Sequence, residues 1–219
     1  MLAGRLAKPL AIAMCLFAVS TRGSFAGEDS EGLPLTAIWH VQSVELNLRT
    51  LHTYYTCDAL KDKITNVLLA VGARKDIHVS LRCDEQALTN SALAVITLAT
   101  PREATPENVT AATTYSQERQ LVARLHGERL PSAGDLERFD ATWRRVTLNK
   151  QRKLGIDPGD CDLLQALASQ VFPRLDIRIE ARHFTCPDNT FTRVLPKMRV
   201  VALMAATPAI PVAYVRRDR

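Results

Sequence analysis

From Trp39 to Leu46, and again from Trp143 to Leu148, apolar and polar residues alternate with the period of a strand that buries one face. After Cys57 the period changes. Leu60, Ile64, Val67, Leu68 and Val71 recur at helical spacing as one stripe, and Gly72 ends it. Leu164, Leu167, Ala168 and Val171 repeat the stripe, which Pro173 is expected to stop. Asp76 to Arg82 and Asp176 to Arg182 return to alternation as further strands. Ala92 to Ala99 and Met198 to Ala206 are apolar runs interrupted only by Thr97 and Arg199, predicted to be strands that are central or covered on both faces. Leu51 to Thr56, "LHTYYT", predicts an extra strand in the first half only, because Pro158-Gly159 favours a turn at the same place in the second.

The same order of elements thus occurs twice, and the residues agree. "CDALKDKITNVL" from Cys57 stands in register with "CDLLQALASQVF" from Cys161, and a tryptophan precedes each cysteine by 18 residues. The chain therefore reads as α+β, with two pseudo-repeated strand-helix-strand-strand units, each packing one helix on a small, mostly antiparallel sheet. The units span residues 27–101 and 142–208. A polar connection, 102–141, holds a short amphipathic helix from Glu118 to Leu125 through Leu121, Val122 and Leu125, and 209–219 form a basic tail. The apolar last strand of each unit needs cover, which favours close packing of the two.

Arg5 and Lys8, the apolar run from Pro9 to Val19, and Ser24-Phe25-Ala26 form a secretory signal peptide cut after Ala26. The run is too short to span a bilayer, so no transmembrane anchor is expected after cleavage. Cys15 lacks the small neighbour of a lipoprotein site and is read as bulk within that run. Cleavage removes Arg5, Lys8 and Arg22 and leaves 25 basic against 23 acidic residues. A near-neutral chain offers no electrostatic case for nucleic acid.

Four cysteines remain for an oxidising compartment, secreted and of bacterial-periplasm type. Cys57 and Cys161 each start a helix, and Cys83 and Cys186 each end the strand after it. In a crossover that strand finishes beside the helix's beginning, so Cys57–Cys83 and Cys161–Cys186 are the expected bridges. With the cysteines bridged, nucleophile and metal roles recede, including a His183/Cys186 ligand pair. His40, His52, His78, His126 and His183 make no metal-binding spacing, and no nucleophile elbow, dinucleotide fingerprint or phosphate loop is present. No catalytic residue, metal site or cofactor is assigned.

Asp58 and Asp162, two residues past the expected N-caps Thr56 and Asp160, suggest acid/base work. Their first-turn position already accounts for them electrostatically. His52, Tyr54 and Tyr55 form a polar-aromatic cluster peculiar to the first unit and are the candidate binding surface, against the plainer reading of a strand face with half-buried tyrosines. Asn108-Val109-Thr110 matches a glycosylation sequon. The functional expectation is an exported, non-enzymatic binding or assembly module for an envelope or extracellular protein, glycan or lipid. A small hydrolase using dispersed Asp and His residues and a carrier of an apolar ligand are the alternatives.

Overall fold

A computed structural model describes residues 32–51, 53–83, 88–149, 154–183, 186 and 195–206. The expected signal peptide with Cys15, His52 of the expected binding surface, and residues 209–219 lie outside the described residues. Six strands form one antiparallel sheet: β1 (Leu35–Arg49), β2 (His78–Cys83), β3 (Ser91–Glu103), β4 (Arg138–Leu148), β5 (Arg178–Arg182) and β6 (Met198–Ala205). Their spatial order is β2-β3-β1-β4-β6-β5, so each half of the chain supplies three adjacent strands. β1 pairs with β3 from Ala37 to Arg49 but with β4 only from Leu35 to Ile38. The seam between halves is therefore a short ladder.

The even-numbered residues Val44, Leu46 and Leu48 of β1, together with Ala94, Ile96 and Leu98 of β3, face the helices and are buried. On them lies α1 (Cys57–Ala70), which buries Leu60, Ile64, Val67 and Leu68, as its stripe requires. Thr56 caps it by accepting from the Ala59 amide at 3.2 Å. Leu148, Leu163, Leu164, Phe172, Met198 and Val200 of the second half join the same core, which is continuous across the seam. Both disulfides have the expected partners, with Cα atoms 6.4 Å apart for Cys57–Cys83 and 5.5 Å for Cys161–Cys186.

The second helix departs from its stripe. α4 (Cys161–Ala166) passes into a π turn at Leu167–Val171 and a 3-10 turn at Phe172–Leu175, so Pro173 does not stop the coil. Proline sits in the first turn of that last segment, where no amide donor is needed. Asp176, in the left-handed region at φ 58°, ends it. The extra strand expected at 51–56 is reduced to one isolated bridge, Tyr55 with Thr89. β3 and β6 are interior strands, as expected; one face of β3 is buried from Ala92 to Thr100, but Thr97 on the other is exposed. The polar connection holds two helices, α2 (Pro106–Thr113) and α3 (Gln117–His126). α2 buries no residue, which is why an apolar stripe did not announce it.

Gly72 closes α1 against the other half. It has φ 96°, and a Cβ there would lie 2.9 Å from the Leu203 carbonyl oxygen in β6. Gly72→Ala combines a left-handed alanine with a backbone clash. It is expected to cost about 2–3 kcal/mol, read as a lower urea midpoint at unchanged slope.

Candidate binding site

Between Thr50 and Thr56 most of the described residues are fastened by hydrogen bonds. The buried Thr50 gives its amide to the Asn90 carbonyl at 2.8 Å and its hydroxyl to the Thr53 carbonyl. Tyr55 exchanges backbone hydrogen bonds with Thr89 at 2.8 and 2.9 Å. The Thr53 hydroxyl donates to the Gly159 carbonyl at 2.8 Å, and Gly159 is small enough to permit that approach. The Leu51 amide donates to the Asp162 carboxylate at 3.3 Å, so Asp162 ties the halves together besides standing in the first turn of α4.

Alternation then divides the two tyrosines. Tyr55 turns inward and is buried, while Tyr54 is 59 % exposed. Leu51 and Leu88, at 63 % and 52 %, are exposed as well, on the same pair of chain segments that the Tyr55–Thr89 bridge and the Thr50–Asn90 bond hold together. Of the three residues expected at a binding surface, Tyr54 is exposed, Tyr55 belongs to the base beneath it, and His52 lies outside the described residues.

The base is a polar cluster that sequence reading missed. The Tyr55 hydroxyl donates to Asp160 Oδ1 at 2.8 Å. Lys63, from α1, donates through Nζ to Asp160 Oδ2 at 2.6 Å, to Asp157 Oδ2 at 2.8 Å and to the Gly155 carbonyl. The Asp157 amide also donates to Asp160 Oδ2, at 2.6 Å. Asp160 is thus not the side-chain cap of α4 that its position suggested; its carboxylate is buried and spent on these partners. Burial first, then the adjoining Asp160 carboxylate, push the Tyr55 phenol far above its ordinary range. Burial pulls the Lys63 ammonium down, but its hydrogen bonds to Asp157 and Asp160 outweigh this and raise its pKa.

One signal for this cluster was present in the sequence. Where the two units align through Cys57 and Cys161, Lys63 stands opposite Leu167 and Tyr55 opposite Gly159. Lys63 and Tyr55 thus bring an ammonium and a phenol to positions where the aligned residues of the second half carry neither.

A cleft of about 380 Å³ lies at the far end of β3, lined by Pro101, Trp143, Pro173 and Ile177 among others. The Arg178 guanidinium stands over the Trp143 ring at 4.9 Å, and Arg102 pairs with Asp176 at 2.9 Å. His40, on β1, has its pKa lowered by burial and then by Arg102, with Asp176 pulling the other way. The cleft and the Tyr54 tip draw on different residues. Among the described residues, no group of three or more His, Cys, Asp or Glu side chains is placed to hold a metal ion. No protein family, curated protein or solved structure matches the chain.

Proposed function

We propose that this protein is an exported, non-enzymatic binding module, periplasmic in setting, that receives a protein partner on the tip formed by Leu51, Tyr54 and Leu88. The observation that carries the reading is the contrast between this apolar tip and its base. Three large side chains are left in water, while their chain neighbours Thr50, Thr53, Tyr55 and Thr89 are held by hydrogen bonds, those of Thr53 and Tyr55 reaching the second half of the chain. Such a surface loses little conformational freedom on binding, the economy that makes aromatic and aliphatic anchors effective at interfaces. Two disulfides are compatible with export. Among the described residues no helix is long and apolar enough to cross a membrane. The doubled strand-helix-strand-strand order is read as an internal duplication whose copies have diverged at the seam.

A photo-crosslinking residue placed at Tyr54 in the native envelope tests the proposal. One protein adduct is expected from Tyr54 and none from the same residue placed at Asp58, with Cys57→Ser/Cys83→Ser as the control for lost folding. Tyr54→Asp is expected to weaken partner binding at least tenfold and to shift thermal stability little. Equal adducts from both positions would remove the tip from consideration.

A small-ligand carrier is the second reading, and the cleft beside Trp143 is the observation in its favour. Saturable quenching of tryptophan emission by small ligands, lost in Trp143→Phe, would move the function there.

A further inference from the structure

α3 is amphipathic in the wrong direction for a helix that serves a core. At 100° per residue, Leu121 and Leu125 lie about 40° apart and Val122 falls just beyond them, a single apolar stripe. In a surface helix that stripe faces the protein. Here Leu125 is 76 % exposed, Leu121 and Val122 are exposed as well, and the one buried residue is Ala123 on the opposite side, at 3 %. The helix rests on its small side and holds its leucines outward. Its ends are well made, with Ser116 accepting from the Arg119 amide and Gly127 closing the last turn at φ 66°, so the orientation belongs to a complete helix.

We propose that α3 is an interfacial helix that lays this stripe on an anionic lipid surface. The charge pattern favours that occupant. Arg124 borders the stripe on the Leu121 side, and His126 and Arg119 lie beyond Val122, where basic side chains reach headgroup phosphates while their stems stay in the apolar layer. Glu118 shares the N-terminal end of the stripe, so the C-terminal end, carrying Leu125 and the basic last turn, enters deepest. A lipid surface needs no complementary shape, so a short stripe flanked by basic side chains can engage it. At ten residues the helix is far too short to cross a bilayer, so it lies along the surface.

The test uses the purified full chain and two vesicle preparations, phosphatidylcholine alone and phosphatidylcholine with an equal part of phosphatidylglycerol. Flotation with the anionic vesicles is expected, with binding falling several-fold between 50 and 300 mM salt. Leu121→Gln/Leu125→Gln is expected to reduce it at least tenfold, and Arg124→Glu several-fold. All three positions are at the surface, so an unchanged circular dichroism spectrum and melting temperature separate lost binding from lost folding. Absence of flotation by the unaltered protein overturns the proposal, as does flotation that survives the double replacement. A concentration-dependent dimer abolished by the same double replacement assigns the face to a second copy and also overturns it. Tyr54→Asp leaves vesicle binding intact, so this result and the fate of the tip are read independently.

Discussion

Lys63→Met is expected to lower the free energy of unfolding by about 3–5 kcal/mol, because it strips the ammonium from a carboxylate that has almost no access to water. Asp160 would keep the Tyr55 hydroxyl and the Asp157 amide, neither of which carries a compensating charge. For a domain of this size the melting temperature should fall by roughly 10 °C or more. Two controls isolate the cause. Asp157→Asn removes the other ion pair of Lys63, whose carboxylate is mostly in water, and should cost less than about 1 kcal/mol. Asp160→Asn added to Lys63→Met should recover part of the loss, since an amide needs no counter-charge. A loss below about 1 kcal/mol for Lys63→Met, measured by urea unfolding, would mean that the cluster does not join the halves.

The same cluster sets an alkaline limit. Both the Lys63 ammonium and the Tyr55 phenol have pKa values raised on folding above their ordinary values of 10.5 and 10.0. A raised pKa means that the native state holds the proton more tightly, so the contribution is complete below the ordinary value and fades as pH climbs through the raised one. Stability should therefore begin to drop near pH 10, and Lys63→Met/Tyr55→Phe should flatten that drop.

Loss of either disulfide is the second large effect. The bridges close loops of 26 and 25 residues, and in the chain-entropy model each contributes about 3.5 kcal/mol by restricting the unfolded chain. They join a helix start to the strand region that follows it, within one half, and neither crosses the seam. Each therefore stiffens its own unit. Cys57→Ser/Cys83→Ser and Cys161→Ser/Cys186→Ser should each lower stability by about 2–4 kcal/mol, and their combination should approach the sum, because distant restraints act independently. Thiol titration of the native protein should find the four cysteines unreactive. One free pair would cancel the corresponding prediction.

Most of the secondary structure could be read from the chain because periodicity reports which face is buried. The stripe from Leu60 to Val71, the alternation in β1 and the cysteine pairing all rest on local spacing. Three features did not follow from spacing. The continuation of α4 through Pro173 depends on a π turn that shifts the helical register, and no residue pattern announces it. The removal of Asp160 from capping depends on Tyr55 and Lys63 arriving from the other half. The outward stripe of α3 has the same pattern as an inward one, since the spacing of apolar residues fixes a direction only about the helix's own axis. At the tip, sequence named Tyr54 and Tyr55 together, and only the alternation fixed by the Tyr55–Thr89 bridge decides that Tyr54 is outside and Tyr55 within.

The short ladder between β1 and β4 has a consequence for how copies of this chain meet while folding. The two three-stranded halves are linked through residues 104–137, none of which belongs to the sheet. Two chains that trade halves would rebuild the same seam, the same Lys63–Asp160 contact and both intact disulfides, with only the connecting arms running between molecules. Refolding at high concentration thus has an exchanged dimer as a competing product, and dilution is the condition that favours the closed monomer.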